Sequence, residues 1–408
     1  MRVLFVTRRY WPAVGGMEGL LRSVVHSLAD RHEVRVLTQR VDDGSWDSLH
    51  DSVKAAPRFD AFSDGHVRVE QLSFPPGLRL ALAPMAVAAV PGVRRHEYAR
   101  HRVWLARYLA TVAGPWLRRQ MASADVVHMW GTDLLAYATV AAAKKVGAVA
   151  AISPFAHRAQ WGTDTASAAA YKAADVVLAL LEAEAELYCT DLGVARSSIR
   201  VCGACSDGAF AAGGPDVRAI HGIDGPLILF LGARREYKGV NVLLDTIPHV
   251  AQDRADVTFA FVGPGPPLPK VAADARVLDV GEVDDAERAS WLHASDLMCL
   301  PSAGEILPIS ILEAWSTGTP VLTSDLTTLQ ELVDGSGGGM TAPRDPAKLA
   351  GAILSLVGET ERLRDMGRRG HARWVAAYTV PAVAACIEDA YRSVGRQGQK
   401  GMTWPSTR

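Results

Sequence analysis

Apolar residues in this chain fall in short unbroken runs, separated by longer stretches in which they recur every three or four positions. Val3–Thr7, Glu33–Thr38, Val67–Leu72, Asp125–Trp130, Ala148–Ser153, Asp175–Leu180 and Ile199–Gly203 read as strands. Most are continuous Val, Ile, Leu and Ala rather than alternating, the pattern of a parallel sheet covered on both faces. A glycine turn after the first run leads into a helical pattern from Met17 to Leu28. The series restarts with Leu227–Gly232, Val257–Gly263, Val277–Gly281, Leu297–Pro301 and Val321–Ser324, again with helical segments between them. Ala211–Gly225, rich in Gly, Ala and Asp, reads as a linker. A last helix is expected over Val380–Gly395. The expected fold class is α/β, with two Rossmann-like, doubly wound parallel-sheet domains and ligand between them at the carboxyl ends of the strands.

Composition adds limits. The 408 residues are 49% hydrophobic and 21% charged, an ordinary globular balance and enough chain for two domains. A net charge of −1 gives no reason to expect a nucleic-acid partner. No apolar run approaches about 18 residues, so no transmembrane helix is expected. The start MRVLFVTRRY puts a strand directly before basic residues, unlike a secretory leader. Five scattered cysteines predict reduced thiols and a cytoplasmic location. Cys202 and Cys205 form a Cys-x-x-Cys, but a zinc site wants a second pair and a redox site a thioredoxin-like setting. The chain has no Asp-x-Asp and no His/Cys cluster at metal spacing, so neither a metal nor a cofactor is expected.

The densest chemistry lies in GEILPISILEAWSTGTPVLTS. A strand, Asp296–Pro301, feeds a loop carrying Glu305; a helix follows over Pro308–Ser316 and is closed by Gly318 and Pro320. Glu313 lies inside that helix, on the face shared with Ile309 and Ser316. The helix start favours an anion, while carboxylates accept hydrogen bonds from sugar hydroxyls, so the expected ligand is a sugar phosphate or nucleotide sugar. Two surface glutamates on an ordinary helix would give the same spacing. Arg234, Arg235 and Lys238 follow the strand Leu227–Gly232 and can neutralise a diphosphate, unless they form a solvated basic turn. Gly15 and Gly16 open the first helix after strand one, and Gly263-Pro264-Gly265 follows another strand. Neither is a Gly-x-Gly-x-x-Gly fingerprint, which disfavours a dinucleotide dehydrogenase. His157, just past the strand Ala148–Ser153, can bond a sugar hydroxyl. His128, inside a strand, is better read as structural.

Taken together, this stretch, APRDPAKLAGAI, VDDAERASWLHASDLMCLPS, FLGARREYKG and YWPAVGGMEG resemble the retaining glycosyltransferases of the GT-B fold. The likeness is to family 4, the group 1 transferases with a Glu-x7-Glu signature. The resemblance implies two Rossmann-like domains facing a cleft. Residues 1–210 would bind acceptor, 211–380 would bind the nucleotide sugar, and the helix and tail of 381–408 would cross back to the first domain. It implies that Glu305 holds donor sugar hydroxyls and Glu313 the ribose. Lys238, one of Arg234 and Arg235, and the amides of Ile309 and Ser310 would hold the diphosphate. Gly15 and Gly16 would lie over the donor diphosphate and the acceptor, and His157 near the donor sugar. The implied reaction is metal-independent hexosyl transfer with retained configuration. The donor is a nucleoside-diphosphate sugar, a UDP-sugar ahead of GDP-mannose, and the acceptor a small-molecule, natural-product, glycan or lipid-linked hydroxyl.

Two departures stand out. The family's Gly-Phe-Gly after the first glutamate is Ile306-Leu307-Pro308 here, and proline has no N–H to offer. The family's arginine slot holds Ala233, with Arg234 and Arg235 just after it. Arg94–Arg119 carries seven arginines and one glutamate, interleaved with Trp104, Tyr108 and Trp116. Two readings stay open there: an ordinary helix with a solvated face, or a peripheral contact with an anionic membrane, as in relatives that glycosylate lipids. A nucleotide-sugar epimerase of the same fold, a pyridoxal-dependent phosphorylase-like enzyme and a non-catalytic nucleotide-sugar binder are the other readings of the chain.

Overall fold

A computed structural model describes residues 1–42, 57–85, 98–158, 161–207, 214–269 and 276–398. These divide into two compact units, Met1–Cys202 with the segment from Val383 onward, and Gly203–Ala382. Each is built on one sheet.

The first unit has strands β1 (Arg2–Arg9), β2 (Glu33–Arg40), β3 (Phe62–Asp64), β4 (Val67–Gln71), β5 (Val126–Trp130), β6 (Val149–Ser153), β7 (Val176–Ala179) and β8 (Ile199–Val201). Their order across the sheet is β3-β4-β2-β1-β5-β6-β7-β8, and every pair is parallel except β3 with β4. The order reverses between β1 and β5, so the strand ends there splay into a crevice. β5 is buried at every position, as its unbroken run VVHMW predicts.

The second unit has β9 (Leu227–Leu231), β10 (Thr258–Val262), β11 (Arg276–Gly281), β12 (Leu297–Leu300), β13 (Val321–Ser324) and β14 (Gly339–Ala342), ordered β11-β10-β9-β12-β13-β14 and parallel throughout. Its reversal lies between β9 and β12. The sequence pattern misses two strands. β3 is three residues long, and β14 is made of Gly, Met, Thr and Ala behind a glycine run, so neither shows an apolar run.

The stretch read as a linker is not structureless. Residues 208–213 lie outside the described residues, and Val217–His221 is a helix capped by the Asp216 carboxylate and ended by Gly222 at φ 59°. Arg218 on that helix bonds Asp296 at 2.5 Å. The arginine-rich segment is helical over Tyr98–Met121. Ala106, Leu109, Ala113, Leu117 and Met121 are buried, while Trp104 stands 74% exposed.

The last helix, Val380–Gly398, packs within the first unit through Val383, Ala384, Ile387, Ala390 and Tyr391, spaced three and four apart. Glu388 on its flank pairs with Arg31 at 3.0 Å. The expectation of five reduced thiols is corrected here. Cys202, at the end of β8, is disulfide-bonded to Cys386 on this helix, with Cα atoms 5.5 Å apart. Cys202 and Cys205 are therefore not a pair. Folding joins two residues separated by 184 positions, which spacing in the sequence cannot show.

Candidate active site

In the second unit the residues singled out in the sequence gather where β9 and β12 diverge. After β9 the chain makes a short turn, Glu236–Lys238, and enters the helix Val240–Asp253 through Gly239 at φ 82°. A Cβ on Gly239 would stand 2.0 Å from the Pro301 carbonyl oxygen, so only glycine lets the two loops touch. That contact brings Lys238 to Glu305. The ammonium Nζ lies 2.5 Å from Glu305 Oε1, and Ser302 Oγ donates to the same oxygen at 3.1 Å. The side chains are 18% and 10% exposed. Thr328 Oγ1 donates to the Glu305 carbonyl at 2.8 Å and fixes the loop.

The following helix is Ile309–Ser316, one residue shorter than the sequence predicts, because Pro308 takes the cap position rather than the first turn. Ile309 and Ser310 form its first turn, where amides lack intrahelical partners. Glu313 sits within the helix, its side chain 13% exposed and 3.6 Å from Arg288. Burial raises its pKa, with Arg288 opposing.

The two arginines after β9 differ. Arg234 is buried, ion-paired with Asp279, and donates to the carbonyls of Phe261 and Pro266. Burial alone would raise the Asp279 pKa, but the Leu268 amide and Arg234 hold it below the ordinary value. Arg234 thus ties β9 to the Gly263-Pro264-Gly265 turn, while Arg235 is exposed. Sequence reading passed over Arg344, in APRDPAK, whose Nε donates to the Pro301 carbonyl at 2.9 Å. A cation just after β14, in a stretch already noted for resemblance, was the available signal.

In the first unit the crevice between β1 and β5 holds a cavity of about 170 Å³, lined by Thr7, Arg8, Arg9, Met17, Glu18, Trp130, Gly131, Thr132, Pro154 and Trp161. Gly15 caps the helix Gly16–Ala29 directly before Met17 and Glu18. Its φ of 166° is extended backbone open to any residue, so no conformational need for glycine exists there. A Cβ would instead meet the Glu18 carboxylate at 2.2 Å.

His157 is half-buried on the turn after β6, its ring 4.0 Å from that of Trp161. The His157 amide donates to the Trp161 carbonyl at 2.9 Å, and Trp161 Nε1 donates to the Phe155 carbonyl at 2.7 Å. Phe155 itself is left-handed at φ 55°, a conformation that costs a non-glycine residue about 1–3 kcal/mol. His128 is fully buried, its ring nitrogens 2.6 Å from Tyr391 Oη and 2.9 Å from Ser153 Oγ. Burial pushes its pKa down to about 3. It stitches β5, β6 and the last helix together, the structural role its strand position predicts.

Residues 225–359 match the family described as Glycosyl transferases group 1. A phosphatidyl-myo-inositol mannosyltransferase of Mycobacterium tuberculosis is 35% identical over 188 residues, 43% of this chain and 49% of that protein. A glycogen synthase of the same species is 31% identical over 181 residues, 42% of this chain and 44% of its own. The chain thus spans about half the length of the curated relatives it matches. Among solved structures, Anabaena HepE in complex with UDP superposes with TM-score 0.69 at 18% identity, covering 96% of this chain and 100% of that one. Sucrose-phosphate synthase from Thermosynechococcus elongatus gives TM-score 0.66 at 17% identity, covering 97% and 100%. The fold is accordingly that of the GT-B glycosyltransferases, with two parallel-sheet α/β domains. Among the described residues no helix is long and apolar enough to cross a membrane.

Proposed function

We propose that this protein is a retaining glycosyltransferase of the Glu-x7-Glu class, moving a hexose from a nucleoside-diphosphate sugar to an acceptor hydroxyl. The observation that carries the reading is the Lys238–Glu305 pair at the β9/β12 divergence, ahead of a free helix start and within the stretch that matches the group 1 transferases. One Lys238 proton is committed to Glu305, and its remaining donors serve the diphosphate. Arg235 serves beside it, because Arg234 is held by Asp279. The amides of Ile309 and Ser310 add the helix dipole. Glu305 accepts from donor sugar hydroxyls, Glu313 from the ribose, and His157 bonds the sugar. As the glycosidic C–O bond breaks, its electron pair goes to the diphosphate. The acceptor oxygen bonds to the same face of the sugar, and its proton goes to the departing phosphate.

The Trp130 and Trp161 walls of the first-unit cavity suit the apolar face of a sugar or cyclitol acceptor. The mannosyltransferase relatives and the UDP-bound neighbour make UDP-sugars and GDP-mannose the donors to test first. A thermal-shift panel identifies the right one, since a donor at 100 times its Kd adds about 2.7 kcal/mol.

With that donor, activity is expected to survive EDTA, because the cationic and dipolar cradle replaces a metal. Proton NMR of the product is expected to show the donor's anomeric configuration; an inverted product would end the retaining reading. Glu313→Ala is expected to weaken nucleotide binding about 10–100-fold by calorimetry, the loss of one charged hydrogen bond worth about 1.5–3 kcal/mol. Because burial raises the Glu313 pKa, acidification should weaken nucleotide binding in wild type more than in the variant. Equal affinity in wild type and variant would remove Glu313 from the ribose.

A further inference from the structure

Glu184 is 2% exposed, in the helix Glu182–Thr190, and no step above uses it. A buried carboxyl is costly unless each oxygen is satisfied. Here Oε2 accepts from the Leu180 amide at 2.6 Å, and Oε1 accepts from the Ala156 amide at 3.1 Å and from the buried Tyr188 hydroxyl. Ala156 lies between the left-handed Phe155 and His157. The same turn closes at Gly162, whose φ is 77° and whose carbonyl accepts from Tyr171 Oη at 2.8 Å. A Cβ on Gly162 would come within 2.7 Å of the Ala156 Cβ, so the two ends of the turn touch. A leucine could fill the space of Glu184, but it could not hold the Ala156 amide. Burial pushes the carboxyl pKa up to about 7, with the Leu180 amide opposing, so the packing charges a free-energy cost for keeping a carboxyl here.

We propose that Glu184 is a positioning residue: through the Ala156 amide it fixes the strained turn after β6, and so sets His157 and the cavity wall Trp161. The proposal rests on the reading of His157 as a group that meets the donor sugar. Gln at this position can keep its carbonyl toward the Ala156 amide and lose only the Leu180 contact, whereas Leu offers no acceptor to either N–H and leaves the Ala156 amide only the Tyr188 hydroxyl at 3.5 Å.

Two measurements on the full chain test it. Hydrogen exchange of the Ala156 and His157 amides in Glu184→Leu is expected to quicken at least tenfold, with β5 and β6 amides unchanged. Hydrolysis of UDP-glucose or GDP-mannose, whichever wild type cleaves, is expected to slow at least tenfold in kcat, with UDP or GDP affinity changed less than twofold. In a His157→Ala background the same substitution should slow hydrolysis less than twofold further, which a general loss of structure would not reproduce. Should Glu184→Leu fail to fold, Tyr188→Phe removes one donor to Glu184 and the second acceptor near the Ala156 amide, and is expected to quicken the same two amides. Unchanged exchange at Ala156 and His157 in a folded variant overturns the proposal. So does full additivity with His157→Ala. If wild type hydrolyses neither donor, the exchange result alone decides what Glu184 holds.

Discussion

Replacing Lys238 by alanine is expected to lower kcat by about 10²–10³-fold while changing nucleotide affinity only a few-fold. In the proposed transfer, charge on the diphosphate grows as the glycosidic bond breaks, so a cation beside it acts most strongly in the transition state. Removal also strands Glu305, which is 10% exposed and among the described residues then keeps Ser302 as its side-chain donor. Circular dichroism should show the fold intact, since Lys238 lies at a loop end rather than in the core. Arg235→Ala is expected to act in the same direction, and Arg234→Ala to lower stability first, because it leaves Asp279 with the Leu268 amide but without its cation. Single-turnover kinetics separate these outcomes. A Lys238→Ala enzyme with wild-type kcat, or one that loses nucleotide binding wholesale, would sink the leaving-group role.

The second large effect is on acid stability. His128 is neutral in the fold, its pKa pushed by burial from 6.5 to about 3. A depressed histidine contributes stability that is complete above its unfolded pKa and disappears as pH falls, here across 6.5 to about 3. At 1.36 kcal/mol per unit that is about 5 kcal/mol. Glu184 acts the other way. Its carboxyl pKa is raised from 4.5 to about 7, so its favourable contribution is complete below 4.5 and is lost as pH rises toward 7. That amounts to about 3 kcal/mol gained on acidification over this window. Between pH 7 and 5 the two nearly cancel, and below 4.5 His128 is unopposed. His32, also held below its ordinary pKa by burial, lowers stability on acidification in wild type and Glu184→Gln alike, so the comparison is a difference. Amide-exchange stability of the first-unit strands, corrected for intrinsic rates, should fall about 2 kcal/mol further in Glu184→Gln than in wild type from pH 7 to 5. Parallel curves for the two proteins would mean that Glu184 titrates normally.

How much of this was legible beforehand depends on range along the chain. The unbroken runs of Val, Ile and Leu marked most strands, because a parallel strand buried on both faces leaves no room for polar alternation. LILFL and VVHMW carry that signature in themselves. Gly-Met-Thr-Ala in β14 does not, and its place beside β13 is decided only by pairing. The loop–helix around Glu305 and Glu313 could be read from neighbouring residues, since a proline cap and a glycine stop are local signals. The partners could not. Lys238 meets Glu305 because Gly239 lets two loops touch across 67 residues, and Arg234 turns inward because Asp279 waits on β11. Cys202 finds Cys386, and His128 finds Tyr391, only when the last helix lies on the first unit. The sequence by itself determined the elements, their two series and the residue types of the site, since period and turn chemistry act over a few residues. Which charge faces which, which arginine is held in the fold, and which buried carboxyl bonds the turn after β6 were decided by contacts between distant segments, and these exist only in the packed chain.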